Sequence, residues 1–304
     1  MKPNFFIIGA PKCGTTALAS YLSEHENIFM SDPKEPHFLA DDFPHYKNSL
    51  PDLQSYEGLF SSAKDDNVLA IGEASVWYLY SEQAVQNIKA YSPSAKLIIM
   101  FRKPSDVMRS LHKQLLWTLD EDESDLDLAL EKMSSRERGE NLPEKCREPK
   151  FLQYLKVVHF GQQLEKVYSH FPREQVKVIF FDDFLQDAHL VYSQTLAFLG
   201  LEDDGRSEFP KINERKKNKS KILADFTHRP PRLLVSLIRA VKSVLGIRRF
   251  GIMGKIRKIN SESIAKTDRD QFFFSQEISA MLNADIDKLE MITNHDLSHW
   301  KEIN

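Results

Sequence analysis

Near its start the sequence carries a pattern that leaves few choices of fold. The strand-like run Phe5-Phe6-Ile7-Ile8 passes through Gly9-Ala10-Pro11-Lys12-Cys13-Gly14 into Thr15-Thr16-Ala17-Leu18. A strand, a glycine-bearing loop and a helix opening on two threonines gather free backbone N–H groups and the positive end of a helix dipole at one point. Such a point holds an anion, above all a phosphate. Spacing then separates two chemistries. A nucleoside triphosphate loop of the Walker type places its lysine directly after the second glycine and before Ser or Thr. Here Thr15 follows Gly14, and the lysine stands at position 12, ahead of the helix. From there it reaches back over a bound phosphate toward whatever that phosphate carries.

The remainder of the 304 residues alternates in the same way. Short β-rich runs at 5–8, 68–71, 96–101 and 176–181 predict strands, and their continuous apolar character fits parallel strands covered on both faces. Helices are expected at 15–24, 81–91, 104–118, 124–138, 151–170, 187–198, 232–245 and 275–292, with Pro104, Ser105 and Asp106 opening the third. The expected architecture is an α/β, P-loop-like three-layer fold with a central parallel sheet flanked by helices. It forms a single domain over 1–304, interrupted by a basic loop and helical insert at about 204–270. No stretch approaches the roughly 18–20 consecutive apolar residues of a membrane-spanning helix. Cys13 and Cys146 are the two cysteines, too few for a multi-bridge framework. The apolar run begins at Phe5, which leaves no room for a secretory signal, so a cytoplasmic location is expected.

The loop Pro11-Lys12-Cys13-Gly14-Thr15-Thr16 resembles the 5′-phosphosulfate loop of sulfotransferases that use 3′-phosphoadenosine 5′-phosphosulfate (PAPS). The resemblance implies a second phosphate element, and the sequence contains one. The run Leu97-Ile98-Ile99-Met100-Phe101 ends in Arg102-Lys103-Pro104, with Ser110 eight residues beyond the arginine. In the family, an arginine and a serine so placed clasp the 3′-phosphate, and a guanidinium offers a rigid, charge-assisted fork for its oxygens. Val107 departs from the pattern, standing where many members carry a further arginine; Arg109 is the nearby substitute.

Lys34-Glu35-Pro36-His37-Phe38 is similar to a segment of the glycan, heparan-type branch, with Leu39 replacing the last phenylalanine. By that resemblance Glu35 is the general base and His37 its neighbour. An imidazole titrates near neutrality unaided, so His37 stays open as the base at this stage. Lys12 is expected to stabilise charge on the leaving bridging oxygen. Gly72-Glu73-Ala74-Ser75-Val76-Trp77-Tyr78 matches a segment lining the acceptor cleft, which makes Trp77 and Tyr78 candidate substrate contacts; Ala74 replaces a lysine of the glycan enzymes. The reading implies sulfuryl transfer from PAPS to a hydroxyl or amine of a small-molecule, carbohydrate or lipid acceptor. Adenosine 3′,5′-bisphosphate is released, and the chemistry calls for no metal.

The net charge of -3 hides an asymmetry: residues 211–270 hold 17 basic and 5 acidic residues, a balance of +12, and the others hold 24 and 39, a balance of -15. Lys217, Lys219 and Ser220 fall where related bacterial enzymes close over the nucleotide, and are expected to meet the 3′-phosphate. The amphipathic basic stretch 232–258 fits its own domain, an anionic membrane surface or a second copy of the chain, leaving homo-oligomerisation open. No recognised motif for nucleic acid accompanies the basic patch. The rival reading is a P-loop nucleotide kinase or NTPase. Val178-Ile179-Phe180-Phe181-Asp182-Asp183 resembles a strand that ends in a magnesium carboxylate, although Thr15 in place of the Walker lysine argues against it.

Overall fold

The computed structural model describes residues 1–47, 50–63, 67–210, 216–218, 261–263 and 274–301. At its centre is a five-stranded sheet of β1 (Phe5–Gly9), β2 (Ile28–Met30), β3 (Ala70–Ala74), β4 (Lys96–Phe101) and β5 (Val176–Phe180). The spatial order is β2-β3-β1-β4-β5, and every neighbouring pair is parallel. All residues of β1 and β3 are buried, as are all but the first of β4. Helices therefore cover both faces of the sheet, the condition under which strands read as unbroken apolar runs. In the register of β1 with β3, Phe5 lies opposite Gly72. A Cβ on Gly72 would sit 2.1 Å from the Phe5 ring, so the two strands approach only because residue 72 has no side chain.

The helices follow in order: α1 (Thr15–Leu22), the short α2 (Pro44–Lys47) and α3 (Leu53–Gly58), α4 (Ala84–Tyr91), α5 (Pro104–Thr118), α6 (Leu126–Glu131) and α7 (Met133–Glu137). They continue with α8 (Tyr154–Val157), α9 (Phe160–His170), α10 (Phe181–Gln186), α11 (Ala188–Leu199) and α12 (Gln276–Thr293). Two long expected helices are broken. The span 124–138 divides into α6 and α7, and 151–170 into a short 3-10 turn, α8 and α9. The break before α9 is built in by Asp285 of α12, whose carboxylate accepts from the Gly161 and Gln162 N–H groups at 2.9 and 3.1 Å. It caps the start of α9 from across the fold. Strand β3 begins two residues later than expected, and β2, α2, α3 and α10 are additions.

The basic insert is described only over 204–210, 216–218 and 261–263. Within it β6 (Lys216–Asn218) pairs antiparallel with β7 (Ser261–Ser263), and the backbone of β6 passes beside α5. The helix expected at 232–245 lies outside the described residues.

Candidate active site

The loop between β1 and α1 is shaped by residues in the left-handed region, Lys12 at φ 66 and Gly14 at φ 93. A Cβ on Gly14 would meet the Phe181 ring at 3.0 Å and Met100 Cε at 3.3 Å. Glycine is thus required there by both dihedral and space. Gly14 is also the N-cap of α1 and contributes no capping side chain, so the first-turn N–H groups face the loop unblocked by one. Cys13 is buried, its Sγ 3.4 Å from the Pro11 carbonyl oxygen. Burial pushes its thiol up to about 12, which makes it a structural thiol and no nucleophile. Thr15 is buried, whereas Thr16 reaches the site and accepts a hydrogen bond from Lys34 Nζ at 3.2 Å.

Three charged groups converge on this loop. Burial lowers the pKa of Lys12, the Glu35 carboxylate opposes that shift, and the nearby Arg102 guanidinium adds to it. Arg102 leaves the end of β4, lies over the Phe181 ring at 4.9 Å and donates to Asp106 Oδ2 at 2.7 Å. Arg109 Nη2 lies 3.5 Å from the other oxygen of Asp106. Asp106 therefore ties both arginines to the first turns of α5, while Val107 faces the core. Ser110 stands one turn beyond Asp106 on the partly exposed face of α5. Lys217 lies in β6, whose backbone passes beside that helix. Lys219 and Ser220 lie outside the described residues.

The segment from Lys34 to Leu39 carries two more left-handed residues, Glu35 at φ 66 and His37 at φ 51. A buried network holds it in that shape. The His37 N–H donates to Ser75 Oγ at 3.0 Å, and the Leu39 N–H donates to the Tyr78 hydroxyl at 3.0 Å. Ser75 Oγ in turn donates to Glu73 Oε1 at 2.6 Å, and Tyr56 donates its hydroxyl to Glu73 Oε2. Phe38 stacks on Tyr56 with centroids 4.6 Å apart. Glu73, wholly buried at the end of β3, is the hub from which the segment hangs; burial raises its carboxyl to about 7, against the pull of Ser75 and Tyr56.

Glu35 projects from this segment with 34% of its side chain exposed. Lys34 Nζ donates to Oε1 at 2.6 Å, and His37 Nε2 lies 3.4 Å from Oε2. Burial pushes the Glu35 carboxyl up, but His37 and Lys34 outweigh it and hold it at about 2. The carboxylate is therefore ionised. His37 differs: it is 1% exposed, its ring packs at a tilt against Tyr46 at 4.1 Å, and burial lowers its pKa against the pull of Glu35. A neutral imidazole with its proton on Nε2 donates to Glu35, the tautomer assigned from this contact.

The structure brings Lys12, Thr16, Lys34, Glu35 and Arg102 to one place at the carboxyl end of the sheet, where such sheets bind ligands. Trp77 and Tyr78 do not join them. Trp77 stacks between Phe43 and Phe151 at 6.1 and 4.6 Å, and Tyr78 is fully buried with its hydroxyl on the Leu39 N–H. Both support the site from beneath. Lys34, Glu73, Ser75 and Asp106 were not assigned roles by sequence reasoning. Lys34 stood in plain view beside Glu35, whereas the Glu73 hub draws in Tyr56 from 17 positions away and, through Ser75, reaches His37, 38 positions from that serine. Of the two carboxylates that suggested a magnesium site, Asp182 accepts from Trp300 Nε1 at 2.6 Å and faces His299 Nε2 at 3.1 Å, pinning the turn Ser298–Trp300, and Asp183 lies 4.0 Å from His295 Nε2. Among the described residues, no three or more His, Cys, Asp or Glu side chains gather as a metal site.

This fold and loop agree with what comparison with other proteins finds. The family model for the sulfotransferase domain matches residues 2–231. A crystal structure of a sulfotransferase from Alicyclobacillus acidocaldarius superposes with a TM-score of 0.68 and 28% identity, covering 99% of this chain and 100% of the other. Human carbohydrate sulfotransferase 15 is 33% identical over 147 residues, 36% of this chain and 26% of that protein. The bifunctional heparan sulfate N-deacetylase/N-sulfotransferase 1 of Caenorhabditis briggsae is 27% identical over 215 residues, 68% of this chain and 23% of that protein. These matches thus span about a quarter of those two relatives' lengths. An α/β transferase built on a phosphate-binding loop is the class that fold and site define. The chain belongs to the sulfotransferase family.

Proposed function

We propose that the chain transfers a sulfuryl group from PAPS to a hydroxyl of a carbohydrate acceptor, with Glu35 as general base and Lys12 as the cation at the leaving oxygen. The observation that carries the reading is the convergence of the Lys12 ammonium, the Glu35 carboxylate and the Arg102 guanidinium near the β1–α1 loop. The donor has two anionic ends, and the residues fit both. The left-handed Gly14, the uncapped first turn of α1 and Lys12 suit a 5′-phosphosulfate, while Arg102 and Ser110 suit a 3′-phosphate, beside the backbone of Lys217. Lys219 and Ser220 are proposed to complete that end.

In the transfer, Glu35 accepts the hydroxyl proton as the acceptor oxygen bonds to sulfur. The bond from sulfur to the bridging oxygen breaks, and its electron pair stays on the bisphosphate, where Lys12 offsets the new charge. As in loose phosphoryl transfer, positioning and electrostatics carry most of the catalysis. The burial of His37 favours Glu35 as the base, with His37 as the group that orients it. A carbohydrate acceptor is favoured by the two eukaryotic relatives, a carbohydrate sulfotransferase and a heparan sulfate N-sulfotransferase.

Thermal denaturation tests the donor. Adenosine 3′,5′-bisphosphate is expected to raise Tm without magnesium, and ATP with magnesium to leave it near the free value; the reverse ranking overturns the reading in favour of an NTPase. Glu35→Gln is expected to abolish transfer of labelled sulfate to a glycan panel while the bisphosphate still raises Tm. Undiminished transfer removes Glu35 from the role of base.

A further inference from the structure

The buried hub at Glu73 is sensitive to a single hydrogen. Glu73, Tyr56, Ser75 and Tyr78 are all wholly buried, so each hydrogen in the cluster needs an acceptor within it. Five donors meet there: the N–H groups of His37 and Leu39, and the hydroxyls of Ser75, Tyr78 and Tyr56. The two N–H groups take Ser75 Oγ and the Tyr78 oxygen, each at 3.0 Å. The three hydroxyls then turn to Glu73, Ser75 to Oε1 at 2.6 Å, Tyr56 to Oε2, and Tyr78 to the same carboxylate.

With Glu73 ionised, all five donors have an acceptor. With Glu73 protonated, a sixth hydrogen enters the same set of acceptors, and one hydroxyl has to turn away from Glu73 to admit it. Ser75 and Tyr78 are the two that fix the backbone at His37 and Leu39, next to the left-handed residues Glu35 and His37. A loosened hub therefore frees the segment that aims Glu35. The groups facing Glu73 are Tyr56 from α3, Ser75 and Tyr78 from the segment after β3 and, at longer range, Tyr91 from α4; its neighbour in register on β1 is Phe6. None of these is a cation, and burial raises the carboxyl to about 7 against the pull of the three hydroxyls.

We propose that Glu73 is a positioning residue for Glu35 and that only its carboxylate form holds the base in line, so that transfer carries an acid limb belonging to Glu73 and not to the base. The inference rests on Glu35 as the base and adds a remote group that governs it. Glu35, held at about 2, stays ionised throughout the range in which Glu73 titrates, which keeps the two separable. The ionisation that aims the base also costs the fold stability, a trade expected at a functional site.

The pH–rate profile of labelled-sulfate transfer tests this on the full chain, beside NMR of the His37 and Leu39 N–H groups. In wild type, kcat is expected to fall about tenfold per pH unit below a midpoint near 7, and the two N–H signals to move with the same midpoint. The bisphosphate-induced rise in Tm should stay constant over that range. Glu73→Gln, whose amide brings hydrogens where the carboxylate accepts, should lower kcat about tenfold or more at pH 8 and lose the limb. Its rise in Tm with bisphosphate should persist, which also reports that it folds. Tyr56→Phe removes a hydrogen bond that favours the charged form and should move the limb to higher pH. A profile flat from pH 8 to 5, wild-type kcat in Glu73→Gln, or the same limb in that variant, which would assign it to another group such as His37, would each overturn the proposal. N–H signals that titrate together in a chain without transfer activity would instead sink the sulfotransferase reading and leave the hub's control of the segment standing.

Discussion

Lys34 sits between the β1–α1 loop and Glu35, donating to both Thr16 and Glu35, and replacing it by methionine tests how the two are coupled. The Glu35 carboxyl is held at about 2, against an ordinary 4.5, because His37 and Lys34 together outweigh burial. That gap corresponds to ~3 kcal/mol if nothing screens it. With 34% of the side chain in contact with solvent, a discounted figure of ~1 kcal/mol is the appropriate share for Lys34. In Lys34→Met, burial is opposed by His37 and the Lys12 ammonium without Lys34, so the carboxyl rises and titrates at a pH where the protein is still folded. The sign for stability follows: a depressed carboxyl stabilises the fold above pH 4.5, and that contribution fades as the pH falls toward 2. The variant should be less stable by ~1 kcal/mol at pH 7 and equal to wild type at the acid end. Carbon-13 NMR of labelled glutamate carboxyls, with Glu35 assigned by its absence in Glu35→Gln, reads the titration directly. In wild type, Glu35 should stay ionised down to pH 3.5; in Lys34→Met its midpoint should lie above that. Adenosine 3′,5′-bisphosphate should move the wild-type midpoint upward too, because an anion in the loop competes for Lys34 and leaves Glu35 the stronger base. Coincident titrations of wild type and Lys34→Met, or a wild-type midpoint unmoved by the bisphosphate, would refute the coupling.

Gly14→Ala should fold with a loss of ~1–3 kcal/mol, from φ 93 and the Phe181 contact, and should lose the bisphosphate-induced rise in Tm; an unchanged rise would mean that the anion binds elsewhere. Glu73 has a carboxyl raised to about 7, so its protonated form favours the fold, and the wild type should lose ~3 kcal/mol of stability as the pH climbs from 4.5 through 7. Urea denaturation across that range should show the slope flattened in Glu73→Gln, and an identical slope in the two proteins would show that Glu73 titrates normally. Asp182→Asn should lower stability by ~1–2 kcal/mol through its bonds to Trp300 and His299, with bisphosphate binding intact. Loss of nucleotide binding in that variant would return Asp182 to the ligand role its sequence context suggested.

The parts of the molecule legible in the sequence are those in which neighbours in the chain are neighbours in space. The loop from Gly9 to Thr16 displays its strand, its turn and its helix start in one stretch, and Arg102 closes a strand whose apolar run is uninterrupted. Strand β2 escaped notice because three residues, Ile28–Met30, are too few to show a period, and only pairing with β3 makes them a strand. The break before α9 was hidden for a different reason: its cap, Asp285, arrives from more than a hundred residues away. The segment from Lys34 to Leu39 combines both cases. Lys34, Glu35 and His37 are adjacent in sequence, but two left-handed backbone positions are needed to aim Glu35 at the phosphate loop, and neither position is a glycine. Local chemistry opposes that conformation. Tyr56 and Ser75 acting on Glu73, and Tyr78 on Leu39, hold it in place. What the residues of the segment can do is therefore written within it, whereas where they point is decided by a buried carboxylate on another strand.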